Sequence, residues 1–366
     1  MKIKALTIIL VLYSLPNYSQ VKDFKINLLG GAKEKTASIS SGDIDNDGDI
    51  DVIIANGRHW PGQNKILINN GKGGFTVEKN LGTERLTSYA AELSDFDSDG
   101  DLDIAVGNDK APNYIFLNDG NGNFKRSSSF GRPYSNSRNI TLNDIDNDGD
   151  IDILITNRVE SNEICLNDGK GNFSEIIPFG TASDATIDVE VSDMNKDGFK
   201  DFIFSSQVES YISQNGNVYV CFNEKGKFNN TSVVNIINHR NLPVEKNGLR
   251  VSDIQVNDLD NDGNPEIISL FSNGSGDHSA IDNNKIKSIF KITTYKDAKF
   301  IDVTNNYFPT KLNENLFYSN RQFKLIDLDN DGLLDIYPIT GDNGCTTKYP
   351  QGCGYLVVQP LSPVIG

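Results

Sequence analysis

Six stretches of this 366-residue chain carry the same arrangement of oxygen donors. They read DIDNDGDID from Asp43, DFDSDGDLD from Asp95, DIDNDGDID from Asp144, DMNKDGFKD from Asp193, DLDNDGNPE from Asp258 and DLDNDGLLD from Asp327. Positions 1, 3, 5 and 9 supply side-chain oxygens, and the Gly after position 5 allows a sharp turn. Hard oxygen donors set around a small loop are what calcium takes. The donor sets are Asp43, Asp45, Asp47 and Asp51; Asp95, Asp97, Asp99 and Asp103; Asp144, Asp146, Asp148 and Asp152. The remaining three are Asp193, Asn195, Asp197 and Asp201; Asp258, Asp260, Asp262 and Glu266; Asp327, Asp329, Asp331 and Asp335. Position 7 is expected to offer only its backbone carbonyl. It is Asp49, Asp101 and Asp150, but also Phe199, Asn264 and Leu333, and a side chain free to be Phe or Leu is not a ligand. One structural Ca²⁺ per loop, about six in all, follows. The fourth loop, with Asn195 and Lys196, is expected to bind most weakly. Asp/Asn/Gly turns also arise without metal, but a turn alone does not require the full donor set six times.

An EF-hand or dockerin loop would place its last acid at position 12. Here that position is Ile54 in the first loop and Val106 in the second, both in strand-like runs, so the loop joins two strands. Alternating residues precede it and an apolar run follows (DVIIAN, DIAVGN, DILITN). A third run ends in a tight turn: KILINNGKGGF, YIFLNDGNGNF, EICLNDGKGNF. Its Asn/Asp-Gly pairs supply the positive φ of hairpin turns. A Phe is expected to open the fourth strand, at Phe75, Phe124, Phe173, Phe228 and Phe300. No segment sustains a helical period. Four short antiparallel strands per repeat predict an all-β chain, a β-propeller of six four-stranded blades, with seven as the alternative. Residues 22–30, with Phe24 in the Phe position, are expected to complete the last blade begun by the C-terminal GYLVVQP and so close the ring. Residues 20–366 then form one domain.

Fifty acids face 34 bases for a net charge of −16, which excludes the basic footprint of a nucleic-acid binder. The six loops hold 26 of those acids, so most of the acidity sits where metal would neutralise it. Lys2 and Lys4 precede an apolar run from Ala5 to Leu15, then Pro16, Asn17, Tyr18 and Ser19. That run is shorter than the about 20 residues that span a bilayer, and it fits a secretory leader over 1–19. A secreted or cell-surface protein without membrane insertion is expected. In that setting Cys345 and Cys353, bracketing the loop GCTTKYPQGCG, are expected to bridge. Cys165 and Cys221 share the strand register of Leu67 and Phe116 and read as core residues.

The unit D-x-D-x-D-G-x-x-D, a strand, then N-x-I-x-L-N-D-G-x-G-x-F resembles the FG-GAP/VCBS repeats of integrin α-subunit propellers and of many secreted bacterial proteins. The resemblance covers nearly all of residues 21–360. It implies calcium in the loop between the first and second strands of each blade, at Asp43, Asp45, Asp47, Asp51 and their counterparts. FG and GAP tripeptides are mostly missing, which brings the chain closer to the VCBS branch. The family includes adhesion domains, lectins and parts of polysaccharide-degrading systems, so membership does not fix function.

No G-x-S-x-G, H-E-x-x-H or phosphate-binding Gly loop is present. A ligand site is therefore expected in the loops after the second and fourth strands. Eight of nine arginines fall in these loops or at their edges (Arg58, Arg85, Arg132, Arg138, Arg158, Arg240, Arg250, Arg321), with His59, His239, His278, Trp60, Tyr134, Tyr211 and Tyr318. Loops collect polar residues in any protein, but lysines are common in the hairpins too. Arginine with aromatics suits planar anions and rings. Arg58, His59, Trp60, Arg132, Tyr134 and Arg138 are the candidate ligand contacts. The expectation is a non-catalytic binding or adhesion module for an acidic glycan or an acidic protein surface. The alternative is a polysaccharide lyase using Arg58 with His59, or Arg240 with His239.

Overall fold

The computed structural model describes residues 34–72, 74–180, 184–210, 213–228, 233–238, 250–272, 288–308, 320–327 and 332–340. The proposed leader, the strand at 22–30, Cys345, Cys353, GYLVVQP, Asp329, Asp331, Tyr211, His239, Arg240, His278 and Tyr318 lie outside these residues.

The first repeat folds as β1 (Thr36–Gly42), β2 (Asp51–Asn56), β3 (Lys65–Asn69) and β4 (Phe75–Asn80), paired antiparallel in sequence order. The second is β5 (Ser88–Ser94), β6 (Asp103–Asn108), β7 (Asn113–Asn118) and β8 (Phe124–Phe130). The third is β9 (Ser137–Asn143), β10 (Asp152–Asn157), β11 (Asn162–Leu166) and β12 (Glu175–Phe179). β13 (Asp184–Ser192), β14 (Asp201–Ser210), β15 (Ser213–Cys221) and β16 (Val233–Asn238) make the fourth. β17 (Arg250–Asn257), β18 (Glu266–Ser272), β19 (Ser288–Lys296) and β20 (Lys299–Asp302) make the fifth. After one turn of helix, α1 (Thr304–Tyr307), β21 (Asn320–Ile326) pairs with β22 (Asp335–Thr340).

Every residue of β2, β6 and β10 is buried, which explains why DVIIAN, DIAVGN and DILITN do not alternate. A strand covered on both faces needs apolar residues on both. The covering comes from the neighbouring repeats. Ile53, Ile66 and Ile68 of the first sheet pack with Ile104, Val106 and Phe116 of the second. Ala105 and Ile115 then meet Ile153, Ile155 and Cys165, and Leu154 and Ile164 meet Phe202, Phe204 and Cys221. Ile203 and Val220 meet Ile254 and Phe271, and Ile268 and Phe290 meet Phe323 and Ile336. Each sheet thus stacks on the next, and the outer β4, FTVEKN, stays largely exposed. Cys165 and Cys221 are free thiols in different cores, and burial pushes the Cys221 thiol up to about 12.

The Phe expectation holds at Phe75 and Phe124, which open β4 and β8. Phe173 lies two residues before β12 instead, and Phe228 lies before β16. Phe173 is drawn into the core against Phe96 and Phe130, so packing rather than strand pairing fixes it. An up-and-down sheet puts its first and third connections at one end and its second connection at the other. The acidic loops and Gly-rich hairpins therefore share one end of each sheet, and the remaining loops share the opposite end.

Candidate metal loops and the opposite loop face

Within each acidic loop the carboxylates first organise the backbone. Asp43 accepts the N–H groups of Asp47 (3.1 Å) and Gly48 (2.9 Å), and Asp47 accepts that of Asp49 (2.9 Å). Asp95 and Asp99 repeat this, as do Asp193 and Asp197, and Asp258 and Asp262. Asp144 and Asp327 each accept the N–H of the loop Gly. That Gly holds φ between +83° and +98°, at Gly48, Gly100, Gly149, Gly198, Gly263 and Gly332. A side chain rarely reaches that region.

The ninth-position acid is fully buried and bonded twice. Asp51 accepts Ile44 N–H (3.0 Å) and Asn69 N–H (2.7 Å), tying the loop to the hairpin of its own repeat. Asp103, Asp152 and Asp201 do the same with Phe96 and Asn118, Ile145 and Asn167, and Met194 and Asn223. Glu266 accepts Leu259 N–H at 2.9 Å, and Asp335 is buried. Burial pushes the Asp103 and Asp201 carboxyls up to about 6, and those of Asp152 and Glu266 to about 7.

The donor set fits a cation. Ligand oxygens of Asp43, Asp45 and Asp51 lie within 4.8 Å of one another, as do those of Asp95, Asp97 and Asp99. Asp144, Asp146 and Asp152 form a third such group, and Asp258, Asp260 and Asp262 a fourth. Oδ1 of Asp45, Asp97 and Asp144 is buried with no hydrogen-bond donor. A buried acceptor facing other carboxylates suits a cation, since no protein donor satisfies it. Burial, and then the charges of Asp51, Asp47 and Asp43, hold the Asp45 carboxyl above its ordinary range. A bound cation reverses that sign.

Position 7 has a second role that the ligand pattern did not show. A Cβ on Gly120 or Gly169, both at positive φ in the hairpins, would meet Asp101 Oδ2 or Asp150 Oδ2 at 2.6 Å. These aspartates lie tight against the hairpin backbone, which only Gly allows. The sequence reading also missed the hairpin asparagines. Asn118 Nδ2 donates to Ile44 O of the preceding repeat at 2.8 Å; Asn167 to Phe96 O and Asn223 to Ile145 O do so at 2.9 Å. Their own N–H groups meet the ninth-position acid, so one Asn links two acidic loops. The available signal was the recurring Asn at the end of the third strand.

The fourth and fifth loops differ. Asn195 turns its amide Nδ2 onto Asp197 Oδ2 at 3.2 Å. In the fifth loop the buried Tyr307 hydroxyl donates to Asp260 Oδ2 at 3.1 Å. Burial raises the Asp262 carboxyl, but hydrogen bonds from Asn264 and the charges of Lys296 and Lys196 outweigh it, and the carboxyl sits below its ordinary range.

At the opposite end, the predicted ligand residues separate into scaffold and surface. Glu163 is 0% exposed and accepts Arg132 Nε at 3.0 Å, Arg132 N–H at 2.6 Å, Ser135 Oγ at 3.1 Å and Asn157 Nδ2 at 2.8 Å. Arg132 is thus held by the protein. Arg138 pairs with Asp109 at 3.0 Å and lies 4.3 Å from the Tyr89 ring centroid. Tyr89 Oη and His59 Nδ1 are 2.8 Å apart, so the first three repeats meet through a tyrosine that the sequence reading passed over. Arg85 pairs with Glu34 at 3.0 Å. Left on the surface are Arg58, His59, Trp60 at 65% exposure and Tyr134 at 67%. His59 (φ 69°), Tyr134 (φ 68°) and Val159 (φ 62°) all hold left-handed backbone. The loops after the second strands are closed by Asn pairs, Asn56 N–H to Asn64 Oδ1, Asn108 N–H to Asn113 Oδ1 and Asn157 N–H to Asn162 Oδ1, whereas Tyr134, between β8 and β9, is flanked by Arg132 and Ser135, both held by Glu163.

Tandem four-stranded sheets, each with an acidic loop between its first two strands, define a class of acidic-loop β-repeat proteins. The profile of the FG-GAP-like repeat matches residues 43–106, 95–155 and 144–204, so residues 43–204 are built of FG-GAP-like repeats. Comparison with curated proteins gave no match. Among solved structures, the chain is similar to BBS1N in its complex with ARL6DN (soaked with lead). Identity is 10%, coverage 84% of this chain and 90% of that one, and the TM-score 0.39. It is also similar to a putative exo-β-1,3-galactanase from Bifidobacterium bifidum s17, at 11% identity, 74% and 91% coverage and a TM-score of 0.38. No helix among the described residues is long and apolar enough to cross a membrane.

Proposed function

We propose that the protein is an exported, calcium-loaded six-bladed β-propeller that binds an acidic glycan or acidic protein surface. Contact is made through the loops opposite the metal sites. Asp43, Asp45, Asp47 and Asp51, with their counterparts in the other loops, hold the ions. The ions neutralise crowded carboxylates and brace the joints between repeats. Residues 22–30 close the ring by completing the sixth blade.

The observation that carries the reading is the presentation of Trp60 and Tyr134. Both are about two-thirds exposed: the Asn56–Asn64 bond closes the loop of Trp60, beside His59 at φ 69°, and the buried Glu163 carboxylate holds Arg132 and Ser135 around Tyr134, itself at φ 68°. Strained backbone displaying a large aromatic marks a contact surface. A glycan array probed with the calcium-loaded protein is expected to show acidic glycans bound, with signal falling as salt rises. Retention of neither glycans nor acidic peptides would refute it.

A lyase remains the second reading, favoured by one observation, the His59–Tyr89 hydrogen bond beside Arg138. A His–Tyr pair can move a proton. Growth of unsaturated-uronate absorbance on acidic polysaccharides, lost in His59→Ala, is its test.

A further inference from the structure

We propose that Lys35, Arg58 and Trp60 form a single subsite for a carboxylate-bearing pyranose, and that Arg132 and Arg138 hold the loops without touching ligand. The inference rests on the binding-module reading and narrows it to a glycan with uronate-type sugars.

The corner is built rather than incidental. Lys35 O accepts the N–H groups of both Gly57 (2.9 Å) and Arg58 (3.3 Å), so the two cationic residues leave adjoining backbone. Trp60 N–H returns to Gly57 O at 3.0 Å, and Gly62 N–H to Leu86 O at 2.9 Å. Gly57, at φ 132°, lies so close to the next repeat that a Cβ would come within 2.8 Å of Ser88 N. The turn therefore cannot swing, and ligand ordering is largely prepaid in the fold. Lys35 Nζ sits 5.7 Å from the Trp60 ring, within cation–π range. His59, between Arg58 and Trp60, is anchored to Tyr89.

Charge separates this corner from the rest of the face. Arg85 has Glu34, Arg138 has Asp109 and Arg132 has Glu163. Among the described residues, neither Lys35 nor Arg58 meets a carboxylate within ion-pair distance. Two uncompensated cations on a chain of net charge −16 attract an anion locally while the rest of the surface repels it. The flat Trp60 ring, exposed beside them, offers a platform for the apolar C–H face of a sugar, while Arg58 can grip its carboxylate in a fork. A stable protein partner would need on the order of 1,000 Å² of complementary surface. Among the described residues of this face the exposed large apolar side chains are Trp60, Tyr134 and Val159, which suits a narrow chain of rings better than a broad interface.

The test uses calcium-loaded full-length protein and titration calorimetry with a galacturonate oligosaccharide, a glucose oligosaccharide of equal length and an acidic peptide. Lys35→Ala with Arg58→Ala is expected to weaken galacturonate binding about a hundredfold, the scale of two lost charge-assisted contacts, at unchanged melting temperature. Trp60→Ala is expected to weaken it comparably. Arg132→Ala and Arg138→Ala should lower the melting temperature, with unchanged affinity in the folded fraction. Galacturonate binding that ignores Lys35, Arg58 and Trp60, or preference for the glucose oligosaccharide, overturns the subsite and leaves the binding module standing. Binding of the acidic peptide alone transfers the module to a protein partner and also overturns the subsite. Binding of none of the three overturns both.

Discussion

The first three repeats and the last three solve the same joint in different ways. Between repeats one and two, and again between two and three, polar groups make the seam: Asn118 and Asn167 reach the preceding acidic loop, and Asn46 Nδ2 donates to Asp101 at 2.7 Å. Between repeats four and five no such Asn exists. In its place in the strand register stands Tyr295, which packs on Phe222 at 5.3 Å and on Phe300 at 4.8 Å. The local electrostatics change with it: against burial, hydrogen bonds from Asn264 and then the charges of Lys296 and Lys196 hold the Asp262 carboxyl down, and Tyr307 occupies Asp260. The inner strands differ as well. β1 and β5 meet through Ser40 and Glu92 at 2.6 Å. β13 and β17 instead bring together Asp188, Glu190 and Asp253, near Lys324 of β21. One half therefore leans on polar bonds between acidic loops and hairpins, the other on rings and a tense group of carboxyls.

Chelation is the largest expected effect. Each site bound only in the folded state contributes about 3 kcal/mol at a hundredfold excess of ion over its Kd, so metal removal should lower the melting temperature strongly. Hydrogen exchange should then rise first in residues 34–180. Equal loss of protection in both halves would erase the contrast.

The carboxyl group on β13 and β17 gives the next effect. Burial, then the charges of Asp188 and Asp253, push the Glu190 carboxyl up to about 8, with Lys324 opposing. An acid whose folded pKa is raised favours folding below its unfolded value of about 4.3. That contribution drains away as pH rises to about 8. Glu190→Gln should flatten stability over this window and raise it at pH 8 by roughly 1–2 kcal/mol. Chemical denaturation across pH reads it, and an unchanged slope would remove the tense group from the comparison.

Asn167→Ala should cost about 1 kcal/mol with metal present, from the lost bonds to Phe96 O and Ile151 O. Tyr295→Phe at the other seam should cost less than half as much, because its ring packing persists. Comparable losses would mean the seams are alike. The smallest effect is expected from Asn195→Asp, which restores a carboxylate in the fourth loop and should tighten one site about tenfold by its added charge. Isothermal titration with Ca²⁺ resolves it, and an identical isotherm would show that Asn195 does not limit the site.

Much of the fold was legible because its signals are local. A nonapeptide with donors two residues apart, an apolar run and an Asn-Gly hairpin lie within a few residues of each other, and stacking repeats supplied the rest. The candidate metal loops were legible for the same reason. The loop face was not. Arg132 and Arg138 looked like free anion contacts because their partners, Glu163 and Asp109, are distant in sequence and unremarkable there. Tyr89 gave no signal beside Ala90 and Ala91, yet it joins His59 to Arg138.

The sequence by itself determined the strand units, their order and the oxygen-rich loops, since backbone turns and donor spacing are properties of short segments. Tertiary structure alone decided which charges remain available. Whether an arginine is bound internally or faces outward depends on what the neighbouring repeat brings to within about 3 Å of it, and that distance is set by how sheets stack.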